Sequence, residues 1–320
     1  MAFLSINETV KNIFKTEKKC IINTDLDGLI SGMILQKFLN WKIVGFSHCS
    51  GKPNDELWLF DSSKDLTDCV FVDLPVCVEE ITVIDQHFVL FDQLSIERYN
   101  KPKNKLNPNV MRERLFKNDS GYNEYTKKYP FGTAHFILAV LENLKIITSD
   151  FSFNFEKKLG SFDLADLMLR ADRVIGNTLQ YTTNCIDWAD WLMDFGGTNT
   201  KTLFNKVKNE YAQRLALERH VEVKVTSLGC SGNDGECSNL FRLKDYKKLK
   251  KYFEYLSDSL GLGQIPLMNF HESGALYGNR FDISLNPTQF DMIKNETIKN
   301  NIFSFALVNM KTLSITYKED

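Results

Sequence analysis

Apolar positions recur along the chain in two periods, and their alternation predicts the elements. Short apolar runs at 18–24, 42–46, 56–60, 69–73 and 81–85 are bounded by polar residues and predict strands. Two of them, Cys69–Asp73 and Ile81–Asp85, end directly on an aspartate. Between the first two runs, Gly28–Trp41 carries apolar residues at helical spacing and predicts a buried helix. Ser5-Ile6-Asn7-Glu8 has the form of a capping box and predicts a short helix at the start. Further helices are expected over 131–144, 155–169 and 186–195, then a long charged one over 200–220.

Strands alternating with helices predict an α/β fold, a doubly wound parallel sheet covered on both faces. The stretch from Phe91 to Pro130 is polar and lacks either period, so it predicts a long loop with some helix. A loop of that length in a compact domain is expected to serve a site. Beyond residue 220 the alternation resumes: a strand at 221–228, a helix at 245–260, a strand at 279–285, a helix over 287–293 and two closing strands. This predicts a second, smaller α/β domain. The expected boundaries are 1–200, a helical linker at 201–218, and 219–320.

Composition narrows the function classes. The chain has 320 residues, 43% hydrophobic and 25% charged, an ordinary globular mix. No window approaches 18 apolar residues, so no membrane-spanning helix is expected. The net charge of −2 supplies no global basic field. A nucleic-acid partner is therefore expected to be short, a strand end or gripped by a local patch. Seven cysteines, an odd number, with no export signal at the start, predict reduced thiols and a cytoplasmic location.

The candidate chemistry lies at strand ends. Asp25-Leu26-Asp27-Gly28 follows the first predicted strand, Asp73 closes the fourth run, and Asp85-Gln86-His87 closes the fifth. In parallel sheets ligands bind beyond the carboxyl ends of the strands, where Asp25, Asp27, Asp73 and Asp85 are expected to converge. Crowded carboxylates repel one another unless a cation neutralises them. Hard oxygen donors with one imidazole suit Mn²⁺ or Mg²⁺ better than Zn²⁺. Such ions clamp a phosphate and lower the pKa of a bound water. Taken singly, Asp25 and Asp27 are also residues favoured at a helix N-terminus. Arg112 and Arg114, in the long loop, are candidates to reach phosphate.

In these residues the chain resembles the DHH phosphoesterases, particularly the RecJ-like branch. Asp25-Leu26-Asp27-Gly28 is similar to the first motif, Asp73 to the second, and Asp85-Gln86-His87 to the third, Asp-His-His. Asn107-Pro108 and Tyr129-Pro130-Phe131-Gly132-Thr133-Ala134 resemble later family segments, so the likeness covers residues 18 to 190. It implies metal ligands at Asp25, Asp27 and Asp73. It also implies a fourth-motif acid at Asp172, with Asp166 and Asp163 as alternatives. Two departures stand out: Ile21 and Asn23 occupy the positions where the family carries a His before its first Asp pair, and Gln86 replaces the first His of the third motif, leaving an amide oxygen as a possible ligand. His87 is retained and, by the resemblance, contacts substrate phosphate. A weaker likeness joins His271–Arg280 to the family's glycine-rich phosphate cradle, with His271 and Arg280 as binding residues.

The implied function is metal-dependent hydrolysis of phosphodiester bonds in single-stranded ends, short oligonucleotides or cyclic dinucleotides. Asp25, Asp27, Asp73, Asp85 and His87 form the catalytic set. The alternative is a catalytically degenerate relative that binds nucleotide or nucleic acid, or serves as a scaffold subunit for a protein partner or a second copy of itself. Four lysines at 247, 248, 250 and 251, interleaved with Tyr246, Tyr252, Phe253 and Tyr255, fit either a single-strand-binding face or an ordinary amphipathic helix.

Overall fold

The computed structural model describes residues 8–47, 55–59, 66–87, 104–114, 127–153, 179–210, 240, 245–265, 275–278, 280–284, 302–307 and 312–317. Two compact units divide the chain: a sheet unit of Lys19–Asn23, Ile43–Tyr129 and His271–Asp320, and a helical unit of Met1–Lys18, Thr24–Lys42 and Pro130–Phe270. The expected domains at 1–200 and 219–320 each contribute to both.

The described strands of the sheet unit are β1 (Lys19–Asn23), β2 (Lys42–Ser47), β3 (Asp55–Leu59), β4 (Cys69–Val72), β5 (Thr82–Ile84), β6 (Lys105–Leu106), β7 (Ala275–Gly278), β8 (Arg280–Ser284), β9 (Ile302–Leu307) and β10 (Thr312–Tyr317). The first seven form one sheet in the order β6-β5-β4-β1-β2-β3-β7. It is mostly parallel, since β1 pairs with β4, β4 with β5 and β5 with β6 in that sense. The expectation of a wholly parallel sheet fails at one side, where β3 runs antiparallel to both β2 and β7. The cause is connection length: only residues 48–54 separate β2 from β3, too few for a parallel crossover of a dozen or more.

The sheet's apolar cluster includes Ile21, Phe71, Leu74 and Val83, all buried. Phe303 of β9 meets Phe71 edge-on at 5.9 Å. The antiparallel sheet β8-β10-β9 is tied to the segment after β4 by Phe305 N–H donating to Pro75 O at 3.1 Å and Cys77 N–H donating to Phe303 O at 2.8 Å. The polar stretch expected as a long loop contains β6 and a short helix, α3 (Pro108–Met111), whose N-terminus Asn107 caps.

The described helices of the helical unit are α1 (Glu8–Ile13), α2 (Leu26–Leu39), α4 (Thr133–Asn143), α5 (Leu179–Phe195), α6 (Thr198–Glu210) and α7 (Tyr246–Leu260). Helix α2 is buried on every side from Leu26 to Leu35, which explains its lack of an amphipathic stripe. It begins two residues before the predicted start, so Asp27 falls in its first turn and Asp25 caps it, accepting from Gly28 N–H at 2.9 Å. Helices α4 and α5 meet through Phe136 stacked on Trp191 at 6.3 Å. Glu142 of α4 caps α6: its buried carboxylate accepts from the backbone N–H groups of Gly197, Asn199 and Thr200 at 2.7–2.9 Å. No described helix is long and apolar enough to cross a membrane.

Candidate metal centre at the strand ends

The parallel register lines up the last strand positions. Ile22 of β1 pairs with Val72 of β4, Val72 with Ile84 of β5, and Ile84 with Leu106 of β6. The next residue on each strand is polar: Asn23, Asp73, Asp85 and Asn107 stand in one row across four neighbouring carboxyl ends. All four are buried, with Asp73 and Asp85 each 1% exposed.

Each carboxylate receives a carboxamide from its neighbour in the row. Asn23 Nδ2 donates to Asp73 Oδ2 at 3.3 Å, and Asn107 Nδ2 to Asp85 Oδ2 at 3.5 Å. Asp73 turns the chain with φ of 60°, a left-handed backbone that a non-glycine residue adopts at a cost. Its N–H donates to Ile84 O at 2.8 Å, which holds it at the strand end. Such strain concentrates at functional positions.

Asp85 anchors His87. Its Oδ2 accepts from His87 N–H at 3.1 Å, and its Oδ1 lies 2.7 Å from His87 Nδ1. When that oxygen accepts, Nδ1 is the donor and Nε2 carries the lone pair of a neutral ring. The imidazole is one-third exposed while Asp85 is not. Ligand atoms of Asp73, Asp85 and His87 all lie within 4.8 Å of one another. Two buried carboxylates at that separation repel strongly in a poorly solvated site, and a shared cation relieves the repulsion.

Of the expected site residues, Asp73, Asp85 and His87 are thus brought together. Asp25 and Asp27 belong to the helical unit, and both hold backbone amides: Asp25 caps α2, and Asp27 accepts from Thr133 N–H at 2.6 Å and Ala134 N–H at 2.9 Å at the start of α4. Gln86 is buried, and its carbonyl accepts from Asn109 Nδ2 at 2.7 Å. Arg112 and Arg114 follow α3, and their N–H groups donate to Pro108 O and Asn109 O. Asp172, with its alternatives Asp163 and Asp166, and His271 lie outside the described residues. Arg280 begins β8. Within the run expected to form a backbone cradle, Ala275–Gly278 is a strand that pairs with Trp58–Asp55 of β3. On α7, Tyr252 and Phe253 are buried core residues and the four lysines face outward, so these two rings offer no stacking platform.

Asn107 and Asn109 are the site residues the strand-end reading missed as such. They belong to no hydrophobic period, and only the Asn-Pro likeness marked the first of them. Compared with known proteins, the chain matches no family model, no curated protein and no solved structure.

Proposed function

We propose that this chain is a metal-dependent phosphoesterase whose ion is held by Asp73, Asp85 and His87. The observation that carries the reading is the buried row at four parallel strand ends, with two carboxylates and an imidazole close enough to share one cation. Strand order supports it. With β7 set aside and β3 antiparallel, the order β3-β2-β1-β4-β5-β6 is one that doubly wound sheets also use, and in those sheets ligands bind where the order reverses, which here is between β1 and β4. Asn23 and Asp73 stand at that reversal.

The oxygen-rich donor set with one nitrogen fits Mn²⁺ or Mg²⁺. A bound ion of this kind polarises a phosphoryl oxygen and lowers the pKa of its water. Asp85 orients the His87 ring, and the exposed side of that ring faces the solvent from which a phosphate arrives. The resemblance to the DHH phosphoesterases belongs to this reading, as do short single-stranded nucleic acid or nucleotide as substrate. Among the described residues Cys20, Cys69, Cys77 and Cys185 form no disulfide, which fits the cytoplasm as its compartment.

Isothermal titration with Mn²⁺ and with Mg²⁺, followed by hydrolysis of bis(p-nitrophenyl) phosphate, a short single-stranded oligonucleotide and a cyclic dinucleotide, tests it. Asp73→Asn is the informative variant, because Asn tolerates the left-handed backbone while losing the charge. Binding and turnover that Asp73→Asn abolishes support the reading; turnover untouched by the substitution overturns it. A second reading, a non-catalytic nucleotide-binding subunit, is favoured by Asp27, whose carboxylate is engaged by two α4 amides. Metal-dependent nucleotide binding without hydrolysis would select it.

A further inference from the structure

The segment after β6 grips the Asp85–His87 turn from outside. Asn107 Nδ2 donates to His87 O at 2.8 Å while lying 3.5 Å from Asp85 Oδ2, so one carboxamide touches both members of the pair. Its own oxygen accepts from Asn109 N–H at 2.9 Å. Asn109 continues the chain of contacts: Nδ2 donates to Gln86 O at 2.7 Å, and Oδ1 accepts from Tyr129 N–H at 2.7 Å. Asn107 is 2% exposed and Asn109 fully buried, which keeps water from substituting for these bonds. Two carboxamides therefore secure the carbonyls of two consecutive residues, Gln86 and His87, beside the one carboxylate that orients the imidazole.

We propose that Asn107 and Asn109 are positioning residues that fix Asp85 and His87 in the geometry a divalent cation requires. The inference rests on the metal site proposed above. Neither asparagine is offered as a ligand. Their role is to hold the Gln86–His87 backbone so that the carboxylate and the ring reach one ion without reorganisation. A partner that orients a metal ligand commonly accounts for a 10–100-fold change in affinity (about that range).

Asn107→Ser separates positioning from folding. Serine caps a helix about as well as asparagine, so α3 keeps its N-terminal acceptor, but the shorter side chain cannot reach His87 O or Asp85. Asn109→Ala removes the second clamp. Mn²⁺ affinity is measured by titration calorimetry and by electron paramagnetic resonance of the free ion. Thermal melting in EDTA reports the fold alone. The ¹⁵N resonances of the His87 ring, assigned by their loss in His87→Gln, report tautomer and hydrogen bonding in the metal-free protein.

The expected result for Asn107→Ser is roughly a 10–100-fold loss of Mn²⁺ affinity, a lowered melting point in EDTA that still leaves the chain folded at the titration temperature, and a shifted His87 ¹⁵N pattern. Wild-type affinity and an unchanged His87 pattern in both variants would overturn the proposal. So would an affinity loss that only tracks a loss of fold in EDTA. If the wild-type chain itself binds neither Mn²⁺ nor Mg²⁺, the metal reading fails, whereas an unshifted His87 pattern in metal-free Asn107→Ser refutes the clamp alone.

Discussion

Gly132 leaves the space that Asp27 fills: a Cβ built on Gly132 would lie 2.5 Å from Asp27 Oδ1 and 2.6 Å from its carboxyl carbon. The absent side chain lets a carboxylate from α2 reach the first amides of α4, where the helix dipole favours an anion. Asp27, a metal ligand by the family resemblance, also caps, within the helical unit, a helix that starts 106 residues later.

Gly132→Ala is therefore expected to push Asp27 off Thr133 and Ala134. The cost is about 2–4 kcal/mol, from lost charge-assisted hydrogen bonds and orphaned amides. Urea unfolding measures it. Asp27→Ala should remove most of the penalty of a second substitution at Gly132, because the clash partner is gone. Additive costs in the double variant would refute this coupling.

Glu142 makes a parallel case. Five donors from Gly197, Asn199 and Thr200 surround its carboxylate, including Thr200 Oγ1 at 2.6 Å and Asn199 Nδ2 at 3.0 Å. Glu142→Gln turns one oxygen into an NH₂ group that faces donors rather than acceptors. It is expected to destabilise by roughly 2–4 kcal/mol. Equal unfolding midpoints for variant and wild type would contradict the capping role.

Lys105 gives a pH signature. Its Nζ donates to Val78 O and Ile81 O at 2.5 Å each, which staples β6 to the turn before β5. Burial pushes the ammonium down to about 8, against a smaller upward pull from Cys77, Glu80 and Glu79. Between about 8 and the ordinary lysine value near 10.4, the unfolded chain holds a proton that the folded chain has released. Stability should therefore rise with pH across that window, and below it the cost of the buried charge is constant. The comparison is with Lys105→Met, whose unfolding free energy lacks this rise. Parallel profiles for the two proteins would rule the effect out.

Burial pushes the Cys20 thiol well above its usual range, with Cys69 adding to the shift. Thiolate is the reactive form. Iodoacetamide at neutral pH should modify the half-buried Cys77 ahead of Cys20, Cys69 and Cys185, all of them buried. Peptide mapping by mass spectrometry reads the order, and early labelling of Cys20 would count against it.

The strand-end aspartates were legible because a short apolar run stopped by Asp is a local signal, and Asp73 and Asp85 do follow the last residues of β4 and β5. The two roles of the Asp25–Gly28 segment were not equally visible. Asp25 caps its own helix three residues from its partner amide, within reach of a local rule. Asp27 serves a helix far along the chain, and no local pattern marks that. The same limit hid β7. Ala-Leu-Tyr-Gly is too short and too rich in small residues to read as a strand, and only the unpaired side of β3 makes it one. Asn107 and Asn109 act through single hydrogen bonds, which leave no period in the sequence.

The pairing of β7 with β3 also governs when the large sheet can be finished. Strand β3 ends at residue 59 and its outer neighbour begins at residue 275, so a chain emerging from the ribosome holds an open hydrogen-bonding edge through most of its synthesis. Long-range closures of this kind are slow, and an exposed edge recruits other strands while it waits. Truncation before residue 275 should accordingly yield a chain that self-associates through β3, and expression at low temperature or with chaperones should favour the monomer.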